Sequence, residues 1–247
     1  MRIAVLSSPR SGNTWLRYLL AGLYGLQHQA VHHPGELEWD GLPEGYVLQL
    51  HWHPTDELRR LLDAGGFRVV TICRHPLDLL LSILHFCAHE PETRHWLEGE
   101  GGDERGIHGQ GPTSAAFREY AVSARAKALL AVTPAWLDHP DVTRVRYEDL
   151  VRDPVGTLRT VATTLGPFRG DPTSTVASLT IERLRPTSGN SHYWQGRPGL
   201  WKTLLPQSLA ETIVEAHAPT FAALEYAADS AEWPSARVAA ERWHQIA

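Results

Sequence analysis

The sequence predicts an α/β fold, with one domain over residues 1–247 in which a central parallel sheet is flanked by helices. Three observations predict it. Short apolar runs of strand length alternate with segments of helical period, the pattern of successive β-α-β units. One run, Val69-Val70-Thr71-Ile72-Cys73, is continuous and β-branched, as in a strand covered on both faces. The first run, Ile3 to Leu6, passes through Ser7-Ser8-Pro9-Arg10-Ser11-Gly12-Asn13 straight into a helical pattern, a geometry that aims backbone N–H groups at the helix start.

The elements follow in order. Trp15, Leu16, Leu19, Leu20 and Leu23 recur at helical spacing and define the first helix. Tyr46 to Leu50 reads as a strand ending at His51, and Pro54-Thr55-Asp56 opens a helix through Leu58, Leu61 and Leu62 that Gly65-Gly66 stops. The Val69 to Cys73 strand leads to Pro76 and another helix. Glu90 to Pro112, rich in Gly, Glu and His, lacks an apolar period and reads as a loop or lid; a helix is expected from Thr113 to Val132. A strand at Val142 to Val145 runs into Arg146-Tyr147-Glu148-Asp149, followed by a helix from Pro154 to Leu165 closed by Gly166. Pro186 to Pro198 is again loop-like, and the final segment returns to helix.

Composition narrows the function classes. With 28 acidic against 23 basic side chains and a formal charge of −5, the chain lacks the basic face on which nucleic-acid and anionic-membrane binding rest, so neither partner is expected. All the basic residues except Lys127 and Lys202 are arginine, a skew that codon bias explains. The two cysteines, Cys73 and Cys87, have neither zinc-site nor disulfide spacing. The apolar run at the N-terminus is too short for a signal-peptide core, and the run from Leu77 to Leu84 is interrupted by Asp78 and far below the ~20 residues that span a bilayer. A cytoplasmic protein is expected.

The loop after the first strand resembles a phosphate-binding loop, in which backbone N–H groups and a helix start cradle an anion; the other reading is a strand-to-helix turn with no ligand. Against the GxxxxGK[ST] pattern, Gly12 and Thr14 match, Ser7 stands in place of the first glycine and Asn13 in place of the lysine, and Arg10 supplies a cation from inside the loop. Pro9-Arg10-Ser11-Gly12-Asn13-Thr14-Trp15 resembles the PKSGTTW loop of PAPS-dependent sulfotransferases. Arg74-His75-Pro76-Leu77-Asp78-Leu79-Leu80-Leu81-Ser82-Ile83-Leu84-His85-Phe86 meets that family's RxPxDxxxSxxHF pattern without a gap. Arg146-Tyr147-Glu148-Asp149-Leu150 with Asp153-Pro154 resembles its YEDL…DP segment, and Gly196-Arg197-Pro198-Gly199-Leu200-Trp201-Lys202 its RKGxxGxWK loop.

The resemblance implies a P-loop-like sulfotransferase fold and transfer of a sulfuryl group from PAPS (3′-phosphoadenosine 5′-phosphosulfate) to a hydroxyl or amine of a small-molecule acceptor, releasing 3′,5′-ADP. It implies that Arg10, Ser11, Gly12, Asn13 and Thr14 hold the 5′ end of the nucleotide. Arg74 and Ser82 are implied to hold the 3′-phosphate, with Gly196 and Arg197 contributing. Trp15 is implied to stack on adenine and Tyr147 to meet its edge; the other reading of Trp15 is a core anchor of its helix. No metal is implied. Arg10 is also taken as catalytic, in charge stabilisation.

The family's general base is a histidine in a KTHxP segment, and the corresponding run is Gln49-Leu50-His51-Trp52-His53-Pro54. His51 matches by its place at the strand end, and counting back from the proline falls on Trp52. His51 is therefore the expected base and His53 the alternative, reach to the substrate deciding between them. Gln49 and Trp194-Gln195 depart from the family's pattern, removing a lysine beside the base and two cations before Gly196. Acceptor specificity is expected in the loops Gln27 to Glu44, Glu90 to Pro112 and Asn190 to Pro198, with Trp39, Trp52, Trp96 and Trp194 lining a pocket if they converge.

Three other readings compete. His51-Trp52-His53 with Asp56 resembles an HxHxD metal cluster, with Asp56 one position late. A P-loop kinase or NTPase-like phosphotransferase needs a loop lysine and an acidic residue near a strand end for Mg²⁺, where this chain has Asn13 and Arg74. A nucleotide-binding module without catalysis is kept open by Gln49.

Overall fold

The computed structural model describes residues 1–90, 93–185 and 193–247. They fall into two compact units, Met1–Arg74 with Val132–Gly189 and His75–Ala131 with Asn190–Ala247. Residues 91–92 of the Glu90 to Pro112 loop, and 186–192 of the later one, with Gly189 and Asn190, lie outside the described residues. The strands are β1 (Arg2–Leu6), β2 (Gln27–Val31), β3 (Tyr46–Leu50), β4 (Phe67–Cys73) and β5 (Thr143–Arg146). In chain order the helices are α1 (Asn13–Tyr24), α2 (Asp56–Ala64), α3 (Pro76–His89), α4 (Ala115–Ala121), α5 (Ala124–Leu137), α6 (Tyr147–Arg152), α7 (Pro154–Leu165), α8 (Pro172–Ser178), α9 (Ile181–Leu184), α10 (Trp201–Leu204), α11 (Gln207–Ala216), α12 (Ala218–Leu224) and α13 (Ala236–Ile246).

The first unit holds the sheet. Its strands, among the described residues, run in the order β2-β3-β1-β4-β5 and every pairing is parallel. β1 is central, and Ile3, Ala4, Val5 and Leu6 are wholly buried, as are Val70, Ile72 and Cys73 of β4. After β1 the chain builds β2 and β3 on one side and then crosses to β4 and β5 on the other. The crevice beyond the carboxyl ends of β1 and β4 is thus the topological switch point, where open parallel sheets bind ligands.

Local chemistry fixes the helices. α1 lays Leu16, Leu19, Leu20 and Leu23, all fully buried, over β1, β2 and β3. Such burial stabilises by about 1.5–3 kcal/mol for each leucine. Gly25, at φ 64, ends that helix by donating its N–H to the Ala21 carbonyl. Thr55 caps α2 by accepting from the Leu58 N–H, and Asp153 caps α7 by accepting from Gly156, with Pro154 in its first turn.

Two expectations are corrected. The segment from Gln27 contains a strand, β2, which pairs with β3 although four of its five residues are exposed. The helix expected from Thr113 to Val132 is two helices: α4 ends at Ala121, and Ser123 accepts from the Ala126 N–H at 3.2 Å and starts α5 afresh.

The second unit is organised around α3, which is buried from Pro76 through Cys87 and so reads as a core helix rather than an amphipathic one. The segment after it is irregular, with tight turns over Thr93–Gly99 and Arg105–Ile107. One buried ion pair holds this stretch. Arg125 meets Glu104 at 2.8 Å, both about 1% exposed, and its guanidinium also donates to the carbonyls of Trp96, Glu100 and Thr93. Tyr120 donates to the same Glu104 carboxylate at 3.0 Å. No helix among the described residues is long and apolar enough to cross a membrane.

Candidate active site

The loop between β1 and α1 is braced chiefly at Ser7, Ser8 and Arg10. The Ser7 hydroxyl accepts from the Ile72 N–H at 2.8 Å and lies 3.3 Å from the Thr71 hydroxyl. The Ser8 N–H donates to the Thr133 hydroxyl at 2.8 Å, and the Thr133 N–H returns a bond to the Ser8 hydroxyl at 3.2 Å. Asn13 donates its side-chain amide back to the Ser8 carbonyl at 2.9 Å. Arg10 stands at φ 66 and Gly12 at φ 101, the left-handed conformations that fold the loop over itself. Gly12 is needed for space as well, because a Cβ there would lie 2.6 Å from the ring of Tyr147. As N-cap it offers no side chain to the first turn of α1.

Arg74, the residue that follows β4, closes the other side of this crevice. Its guanidinium donates to the Arg10 carbonyl at 2.8 Å and lies 4.5 Å above the centroid of the Tyr147 ring. Tyr147 is delivered by the end of β5, so β1, β4 and β5 each contribute one part. Arg74 is buried at 6% exposure, yet its Nε has no hydrogen-bond partner within the protein, and neither do the Ser11 hydroxyl and the Asn13 Oδ1. Buried donors such as the Arg74 Nε and the Ser11 hydroxyl are costly unless a ligand meets them. They suit an anionic one, so the residues present fit a phosphorylated nucleotide.

β3 brings in the histidine. His51 is 8% exposed, and its Nδ1 lies 2.8 Å from the Ser7 carbonyl oxygen. A carbonyl only accepts, so Nδ1 carries a proton, and in the neutral ring Nε2 holds the lone pair. The Gln49 amide nitrogen lies 3.4 Å from that Nε2, a long bond, while the buried Gln49 Oε1 has no partner. His53 is half-buried. Trp52 presents its ring edgewise to His33 at 4.7 Å, and its carbonyl accepts from the Trp136 indole. Trp15 is 9% exposed and donates its indole N–H to the Leu179 carbonyl at 2.8 Å.

The first unit therefore gathers Arg10, Ser11, Gly12, Asn13, Thr14, Trp15, His51, Arg74 and Tyr147. Ser82, Gly196 and Arg197 belong to the second. There Ser82 is buried on α3, Gly196 has φ 66 and Arg197 is exposed. Lys202 is exposed, with its Nζ 5.4 Å from the Trp201 ring centroid.

The four tryptophans do not form one pocket. Trp39 packs edgewise on Phe67, the first residue of β4, whereas Trp52 comes two residues after the last residue of β3, at the opposite end of a parallel sheet. In the second unit, Trp96 stacks on Phe86 and Trp194 on His85. A separate cavity of about 620 Å³ opens at the amino-terminal end of β4 and β5. Arg59 and Arg68 line it together with Asp63, Asp138 and Asp141, so cations and carboxylates are mixed there. Among the described residues, no group of three or more His, Cys, Asp or Glu side chains is placed to hold a metal ion.

Nothing local in the sequence marks Thr133, whose partner Ser8 is 125 residues away. Asp78 stands inside a motif, but its backbone partners lie more than 120 residues further along the chain.

No family model matches the sequence, and no curated protein matches it. Solved structures do. A mouse sulfotransferase complexed with PAP superposes with a TM-score of 0.68 at 18% identity, over 92% of this chain and 89% of that one. The chain has the sulfotransferase fold. Retinol dehydratase in complex with androsterone and PAP shares it at a TM-score of 0.54 and 15% identity, over 89% of this chain and 80% of that one. The sulfotransferase domain of the curacin biosynthetic pathway follows at 0.50 and 17%, over 94% and 98%. In this fold the β1–α1 loop, Arg74 and His51 all stand at the carboxyl ends of the sheet.

Proposed function

We propose that this chain is a PAPS-dependent sulfotransferase that transfers a sulfuryl group to a hydroxyl or amine of a small-molecule acceptor and releases 3′,5′-ADP. The observation that carries the reading is the bond between His51 and the loop. The candidate base is tied by Nδ1 to the Ser7 carbonyl, the residue that opens the anion-binding turn, so the proton acceptor and the anion site move as one piece. PAP in the mouse sulfotransferase, and PAP with androsterone in retinol dehydratase, are the ligand classes that this reading brings to the present chain.

Bound PAPS supplies the activated sulfuryl group, and the side chains do the rest. Arg10 and the N–H groups of residues 11–14 hold the 5′ end and balance charge gathering on the leaving phosphate. Arg74 and Ser82, with Gly196 and Arg197, receive the 3′-phosphate through charge-assisted bonds. Trp15 and Tyr147 bound the adenine. His51 Nε2 takes the acceptor's proton as the sulfur–oxygen bond forms in line with the departing bridge, the Gln49 amide giving way to the incoming hydroxyl. Sulfuryl transfer, like phosphoryl transfer, asks mainly for position and charge stabilisation, which this set provides without a metal. The expectations of one catalytic domain over residues 1–247 and of a cytoplasmic setting belong to this proposal.

The test is incubation with ³⁵S-labelled PAPS and a panel of phenolic, alcoholic and amine acceptors, followed by mass analysis for the gain of one sulfate. Transfer with release of 3′,5′-ADP is expected. Failure to bind 3′,5′-ADP, or phosphoryl transfer from ATP in its place, overturns the reading.

A further inference from the structure

Asp78, Ser82 and His85 are spaced by four and then three residues on α3, so they share one face of that helix. Both outer residues grip the segment that contains Arg197. The Asp78 carboxylate, 1% exposed, accepts the Gly199 N–H on one oxygen at 2.5 Å and the Trp201 N–H on the other at 2.9 Å. The His85 ring stacks on Trp194, with centroids 4.5 Å apart and planes at 18°, and the Trp194 indole is fixed to the Ile246 carbonyl at 2.8 Å. The stretch from Trp194 to Gly199 is thereby fastened at both ends along a single helix face.

The lengths make the consequence specific. Seven residues of helix separate the two fastenings by about 10.5 Å. Five extended links from Trp194 to Gly199 can reach roughly 17 Å, so the chain between them bows rather than running taut. Gly196, at φ 66, supplies the bend, and Arg197, the next residue, is exposed. Ser82 lies between the fastenings on the same face.

We infer that Asp78 and His85 are positioning residues that hold the Gly196–Arg197 bow over Ser82, setting the Arg197 guanidinium for the nucleotide's 3′-phosphate. This rests on the sulfotransferase reading above for the identity of the ligand. The backbone N–H bonds to a buried carboxylate are of the strong, charge-assisted kind. Asp78→Asn puts an amide donor against one of the two N–H groups and releases that end of the bow.

The test compares 3′,5′-ADP with 5′-AMP by calorimetry on the full chain, because only the first carries the 3′-phosphate. Asp78→Asn is expected to cut the preference for 3′,5′-ADP by about tenfold, the order of one charge-assisted bond, and to leave 5′-AMP affinity within about twofold. Arg197→Ala should give the same loss, and the double variant no more than Arg197→Ala alone. Equal weakening of both nucleotides, unchanged discrimination, or losses that multiply in the double variant overturn the inference. Where Asp78→Asn yields no folded protein, His85→Ala loosens the other fastening and is read by the same ratio. A parent protein that binds no 3′,5′-ADP overturns the sulfotransferase reading itself; one that binds it while both fastening variants discriminate normally overturns this inference alone.

Discussion

His51 Nδ1 and the Ser7 carbonyl oxygen lie 2.8 Å apart, joining the end of β3 to the first residue after β1. The bond sets the imidazole tautomer and ties the orientation of the ring to the anion loop. A histidine so held presents Nε2, the nitrogen that can receive a proton, in one direction only.

Replacing His51 by alanine is therefore expected to lower kcat by about 10²–10⁴-fold, the usual span for loss of a general base. Binding of 3′,5′-ADP, followed by calorimetry, should persist. His53→Ala is the companion measurement: a loss larger than that of His51→Ala moves the role to His53.

Gln49→Leu removes the amide that faces Nε2 while keeping an apolar volume on β3. One modest hydrogen bond is at stake, so kcat should fall by about tenfold or less. The KM for PAPS should stay near the parent value in steady-state assays. A dominant change in KM instead shows Gln49 to be a nucleotide contact.

Gly12→Ala meets two obstacles, a backbone at φ 101 and a Tyr147 carbon 2.6 Å from the new Cβ. The expected cost is about 1–3 kcal/mol of stability from the backbone alone. Thermal unfolding checks the stability, and 3′,5′-ADP titration should show that the distorted loop has lost affinity. Gly12→Ala with full stability and affinity contradicts the account of the loop.

Arg125→Met leaves the Glu104 carboxylate buried and deprives the carbonyls of Thr93, Trp96 and Glu100 of their donor. Breaking a buried pair from one side costs about 3–5 kcal/mol. Denaturant unfolding measures it, and limited proteolysis should find new cleavage in the 93–107 segment.

His217 gives the stability a pH dependence. Burial lowers the pKa of its imidazole, while its bond to the Ala121 carbonyl opposes that shift. The unfolded chain thus takes up this proton at a higher pH than the folded one. The contribution is fully present above the ordinary histidine value of about 6.5 and is lost as pH falls below it toward the folded value. Melting temperature measured from pH 8 to 5 should drop less steeply in His217→Gln than in the parent, although the variant starts lower.

Much of the sheet is legible because its strands announce themselves by composition. Val69 to Cys73 and Ile3 to Leu6 are apolar enough to be found alone, and β3 and α7 occupy their expected bounds. β2 is not legible, since Gln27-His28-Gln29-Ala30 is exposed and becomes a strand only by pairing with β3. In the site, Gly12 and Arg74 stand out through motif spacing, which carries local geometry. Thr133 and Glu104 do not, because their partners Ser8 and Arg125 are distant in sequence and the meeting is made by packing. Trp39 shows the converse: an aromatic side chain suggests a pocket, and only strand direction reveals that it stands at the wrong end of the sheet.

The bracing of the first loop also decides which charges it tolerates. The carbonyl oxygens of Ser7, Ser8 and Arg10 are claimed by His51, Asn13 and Arg74 respectively. An oxygen turned into the cradle would repel a phosphate, and a released carbonyl is where a cation or a water could lodge. Those three side chains keep the negative ends of the peptide dipoles facing outward. The anion binding proposed for the loop thus rests on residues from three different parts of the first unit. Damage to any one of them should show itself as a blurred choice between ligand charges before it shows as an empty site.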